Sequence, residues 1–116
     1  MASPSANAAQ QGAAAAEMAS DSDLALTLIS AGAVTGTTAT EVRDRCRAHI
    51  RALIEPAQLY VNALADGRAK DIAQATVEHA KKVAEDTGGD PEATLRLLAK
   101  SVSILLRYAA HQRKPT

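Results

Sequence analysis

Apolar positions repeat most clearly over residues 90–111, DPEATLRLLAKSVSILLRYAAH, at steps of three and four that predict one helix of about six turns. Asp90 suits the N-cap, Pro91 the first helical position, and Glu92 places negative charge on the positive end of the helix dipole. Leu95, Leu98, Ala99, Val102, Leu105, Leu106 and Ala109 share one broad face. Leu97, Ser101, Ile104 and Tyr108 form a second stripe roughly opposite, leaving only Glu92, Arg96, Lys100, Ser103 and Arg107 as a narrow polar strip. A helix apolar around most of its circumference has to be covered on more than one side. The second stripe is therefore the expected interface, either within the chain, where residues 23–30 are its one candidate cover, or with another molecule.

The next strongest pattern spans 39–65. Val42, Cys46, Ile50, Leu53, Ala57, Val61 and Leu64 continue a helical stripe past Pro56, and Thr38 with Glu41 has capping-box spacing. Proline removes a main-chain hydrogen bond, so the helix either kinks or breaks there; the unbroken stripe favours the kink. After the turn at Asp66-Gly67, a weaker helix over 68–86 has Ala69, Ile72, Ala73, Thr76, Ala80 and Val83 as its inner stripe. Gly88-Gly89 then separates it from the last helix. Over 21–31, Leu24, Ala25, Leu28 and Ile29 make a helical face, whereas Leu24, Leu26 and Leu28 alternate as in a strand. A short helix, begun by a Ser20/Asp23 capping box, fits better because no second strand is evident. Residues 1–20 are a low-complexity Ala/Ser/Gln leader for which disorder is expected, and the tail 112–116 is expected to fray.

The expected fold is all-α: an antiparallel three-helix bundle over 39–65, 68–86 and 90–111 with a short N-terminal helix. In domain terms this means a disordered leader 1–20, a short helix and loop 21–36, and a helical bundle domain 37–112. Composition adds a reason to expect self-association. The 116-residue chain has no Phe or Trp, and alanine supplies much of its apolar count, so a single domain has a thin core.

Lys plus Arg and Asp plus Glu number 13 each, so zero net charge gives no strong field toward nucleic acid or membrane. The start lacks a basic region followed by an apolar run, and no window approaches a membrane span. A soluble, cytoplasmic protein is expected. Cys46, the single cysteine, excludes an intramolecular disulfide and sits on an inner stripe as a buried, inert thiol. Histidines 49, 79 and 111 lie on separate helices without metal-site spacing and read as boundary residues, a site assembled between helices around His49 or His79 being the lesser alternative. Arg43, Arg47 and Arg51 stack along one helix edge that can meet an anion or an acidic partner, with Asp44 and Glu41 as local compensation.

No paired carboxylates, nucleophile triad or phosphate loop is legible, so a catalytic role, a cofactor and a metal are not expected. The expected function is non-enzymatic and rests on protein–protein contact or self-association. The alternative is a nucleic-acid-binding or regulatory module on the arginine edge of residues 43–51.

Residues 47–56, RAHIRALIEP, and 98–102, LAKSV, resemble segments of a family of short all-helical proteins from high-GC bacteria. That family is known by its association with natural-product biosynthesis and has no assigned function. The resemblance covers roughly residues 40–110 and implies a helical fold and an accessory role in such a pathway. It carries no catalytic residues. Glu55-Pro56 stands where the family pattern puts proline first, and the His-Tyr ending of the last helix is replaced by Arg107-Tyr108.

Overall fold

The computed structural model describes residues 4–113, with side chains described over 12–111. Four helices follow one another: α1 (Pro4–Ser30), α2 (Thr37–Ala63), α3 (Arg68–Glu85) and α4 (Pro91–Arg113). No strand occurs among the described residues.

The largest departure from expectation is α1. The sequence suggests a disordered leader and a short helix from about residue 21, yet one helix of 27 residues runs through both. Alanine, the strongest helix former, dominates this segment, and Ser20 lies inside the helix and does not cap it. Residues 1–3 of the leader lie outside the described residues, as do 114–116 of the tail. The end of α1 is sharply defined. Gly32 takes φ 70°, the Gly32 amide donates to the Ile29 carbonyl (3.1 Å), and the Ala33 amide donates to Leu28 (2.8 Å). This pair of bonds is a Schellman cap, which requires the left-handed conformation that glycine adopts without a Cβ clash.

The other helices fall within two residues of the expected bounds. α2 passes through Pro56 without a break, and its N-cap is Gly36, not the expected Thr38; Thr40 Oγ donates back to the Gly36 carbonyl at 2.9 Å. On α3 the buried face is Ala73, Val77, Ala80, Val83 and Ala84, whereas Ile72 is 56% exposed and Ala69 lies in solvent. α4 starts as expected, with the Ala93 amide donating to the Asp90 carboxylate at 2.8 Å.

Contacts between the helices set their directions. Arg47 reaches the carbonyl of Asp86, Arg51 that of Ala84, and Gln58 bonds Gln74, so numbers fall along α3 as they rise along α2. Asp21 meets Arg45 and His49, while Arg43 bonds Val34, which makes α1 antiparallel to α2. Tyr60 packs against Tyr108 with the rings tilted, and Arg43 and Arg47 flank a cavity with Pro91 and Thr94, so α2 and α4 run parallel. The result is an up-down-up-down arrangement of four helices, and α1 is a full member of it.

α4 packs most extensively on α2, then on α1, and least on α3. α1 and α3 do not pack on one another. The core between these helices contains Ile50, Leu95, Leu98, Leu105, Val42, Val61, Val77 and Val102, all inaccessible to solvent. Ala25, Ala57, Ala80, Ala99 and Ala109 are buried among them. Alanine on α1 thus buries area only because a neighbouring helix comes near, which no periodic stripe of large side chains advertises.

Candidate functional site

Because α1 and α3 stay apart, α4 forms the floor of a groove between them. Its walls are Ser22, Asp23 and Leu26 of α1 and His79 of α3; Leu97, Lys100, Ser101 and Ile104 of α4 lie beneath. The cavity measures about 470 Å³. Three of the four residues expected at an interface, Leu97, Ser101 and Ile104, therefore meet here. Leu97 is 42% exposed and faces a groove shared with Leu26, 44% exposed; Ile104 is half-buried and Ser101 buried. Tyr108 is separated from them. Its ring packs against Tyr60 of α2 at 4.8 Å between centroids, and Tyr60 in turn stacks on His111 at 5.0 Å.

The second stripe of α4 is thus divided: α1 covers part of it, α2 takes Tyr108, and the groove leaves Leu97 and Ile104 accessible. Leu26 lies in the segment 23–30 expected as the cover of this face within the chain, and His79 of α3 completes the groove. Leu59 and Ile72 are also exposed, and the register of α2 on α3 puts them at the same level of that pair.

Next to the groove, α1 carries two buried polar residues. The Asp21 carboxylate accepts from His49 Nε2 at 2.6 Å and from Arg45 Nε at 3.2 Å. Ser22 Oγ donates to the Ala99 carbonyl of α4 at 2.9 Å. Since a carboxylate only accepts, it fixes the His49 tautomer with hydrogen on Nε2. His49 is therefore more than the boundary residue expected from sequence; it anchors α1 to α2. The signal was hidden because Asp21 lies 28 positions away on a helix read as starting there.

Cys46 lies one turn from His49 and is fully buried. Burial pushes its thiol from 9.0 up to about 11; the Asp21 carboxylate adds to the rise, and Arg45 and Arg47 oppose it. An unionised, inaccessible thiol is a poor nucleophile, so Asp21, His49 and Cys46 do not form a reactive triad. Two outcomes follow. Alkylating reagents at neutral pH should label Cys46 only as fast as the protein opens. The unfolded state should also release the thiol proton from about pH 9 and the folded state only near 11. Folded protein then holds more protons in that window, and stability declines as pH rises through it. A denaturation series from pH 8 to 11 on wild type and Cys46→Ala should show the extra decline only in wild type.

The arginine edge is engaged with the main chain. Arg43 Nη2 donates to the Val34 carbonyl, Arg47 Nη2 to Asp86 at 3.2 Å, and Arg51 Nη2 to Ala84 at 3.4 Å. Arg47 and Arg51 thereby satisfy carbonyls at the C-terminal end of α3, where cations also complement the helix dipole. Arg47 forms an ion pair with Asp44 at 3.4 Å. Arg43 and Arg47 line a second cavity at this end of the bundle; Arg51 does not.

No cluster of three potential metal ligands exists among the described residues, and none of the described helices is long and apolar enough to cross a membrane. Comparison of the chain with protein-family models, curated proteins and solved structures gave no match.

Proposed function

We propose that this chain is a non-enzymatic helical protein that acts through protein–protein contact, as a homo-oligomer or as an accessory to a larger assembly, with the α1–α4–α3 groove as the contact. The observation that carries this reading is the pair Leu26 and Leu97, both more than two-fifths exposed, on one apolar groove that also takes in Ile104. Asp23, His79, Lys100 and Arg107 give the groove a polar rim, the usual anatomy of a contact with an apolar centre. The resemblance of residues 47–56 and 98–102 supports an accessory role in natural-product biosynthesis as the setting. The alternative, a nucleic-acid-binding or regulatory module on Arg43, Arg47 and Arg51, draws less support because the three do not form one continuous edge: Arg51 is committed to the Ala84 carbonyl and only Arg43 and Arg47 share a cavity.

The deciding measurement is native mass by light scattering over a range of concentrations. Wild type is expected to associate, and Leu97→Glu and Ile104→Glu to run as monomers with unchanged helicity. A wild-type protein that stays monomeric throughout rejects self-association; an oligomer indifferent to both substitutions rejects the groove.

A further inference from the structure

The cavity at the end of the bundle where α2 and α4 begin has a different chemistry from the groove. It measures about 280 Å³ and is lined by Thr40, Arg43, Arg47, Gly88, Gly89 and Thr94, with Thr87 and Pro91 completing the wall. Its lining holds two guanidiniums, three threonine hydroxyls and no carboxylate. Arg43 forms no ion pair among the described residues. Arg47 is 12% exposed, and its Nε–H is buried without a hydrogen-bond partner among the described residues, although both of its Nη atoms are bonded. That Nε is closed to an incoming acceptor, but each Nη of Arg47, like those of Arg43, carries a second N–H beyond the one already bonded.

None of the nearby carboxylates lines the cavity, although Asp44 bonds Arg47 Nη1 and Asp86 the Gly88 amide, both groups of its wall; Asp90 bonds the Ala93 amide. The parallel run of α2 and α4 brings the positive ends of both dipoles to this end of the molecule. Gly89, at φ 91°, holds the turn in a conformation closed to ordinary side chains.

From these observations we infer that the cavity between Arg43, Arg47 and the Gly88-Gly89 turn binds a phosphate-class oxyanion, free or as the monoester of a small molecule. Guanidinium groups, hydroxyls and glycine amides beside helix N-termini are the donors such an anion takes. The volume holds a tetrahedral anion with bridging waters, a water occupying about 30 Å³. Arg43 and Arg47 supply their remaining Nη N–H groups, Arg43 without a carboxylate partner among the described residues, and Thr87 supplies a hydroxyl.

The test uses the full chain with sodium phosphate, phenyl phosphate and, at equal ionic strength, sodium chloride. Saturable amide shifts at Gly88 and Gly89 and a rise in Tm are expected with the phosphates and not with chloride. Tighter binding of phenyl phosphate assigns the site to esters, and tighter binding of inorganic phosphate assigns it to the free ion. Arg43→Gln should weaken binding at least about tenfold, the loss expected for one charged hydrogen bond. Arg51→Gln, outside the cavity, should leave binding unchanged. Responses equal in chloride overturn the assignment, as does undiminished binding in a folded Arg43→Gln protein. The amide shifts on wild type decide the matter even if that variant does not fold.

Discussion

Val102→Glu is expected to unfold the protein at neutral pH, whereas Leu97→Glu, on the same helix, should leave it folded. Val102 is fully inaccessible, within the cluster that includes Leu98, Leu105, Ile50 and Val61. A carboxylate there would sit in the apolar cluster, and the effective penalty for burying an unpaired ion is several kcal/mol. Domains of this size are stable by only about 5–15 kcal/mol, and the lost packing of the valine adds to the deficit. Leu97 is 42% exposed, so its replacement keeps the introduced charge in water. Far-UV circular dichroism with urea titration separates the two outcomes. The unfolding of Val102→Glu should be partly relieved below about pH 4, because a buried carboxyl is protonated more readily than the same group in the unfolded chain. Retained cooperative unfolding for Val102→Glu at neutral pH would mean that α4 does not present this face to the core.

The contrast between these two positions shows what the sequence made legible. Leu98, Val102 and Leu105 repeat with large side chains, and on α2 Val42, Cys46, Ile50, Leu53, Ala57 and Val61 do the same through Pro56. Such stripes fix helix phase, so the buried faces of α2 and α4 were correctly foreseen. On α3 alanine and threonine occur on several sides of the wheel, and the phase chosen put Ile72 inside and omitted Val77; the observed helix turns Val77 inward. α1 was missed for a related reason. Ala25 is buried only because another helix comes within reach, and an alanine-rich segment has the same appearance whether solvated or packed.

The candidate sites follow the same division. Leu97 and Ile104 could be recognised as surplus apolar surface on a helix already phased, but their groove partners Leu26 and His79 belong to helices whose placement depends on tertiary packing. The arginine edge was visible as a stack of Arg43, Arg47 and Arg51; its division between α3 carbonyls and a cavity was not, because it depends on where residues 84–91 return along α2.

The attachment of α1 depends on a polar contact, and Asp21→Ala is expected to loosen that helix at a cost of about 2–3 kcal/mol. Breaking a buried charged pair by removing one partner costs about 3–5 kcal/mol when both groups are fully buried. The lower figure applies here because Arg45 keeps 42% of its side chain in solvent and can rehydrate, whereas His49, at 14%, is left with a ring nitrogen facing the former carboxylate site. Ser22→Ala, removing one neutral hydrogen bond to the Ala99 carbonyl, should cost about 1 kcal/mol.

Urea denaturation gives both numbers, and amide exchange along α1 should accelerate in Asp21→Ala before exchange in α2 and α4 does. The Cys46 thiol offers an independent check. Asp21 contributes to its raised pKa, so the substitution should let the thiol ionise at lower pH, read from thiolate absorbance in alkaline titration. A double-mutant cycle with His49→Ala completes the test, since two residues bonded at 2.6 Å should show a coupling well outside error. Strict additivity would mean that α1 is held by its alanines alone.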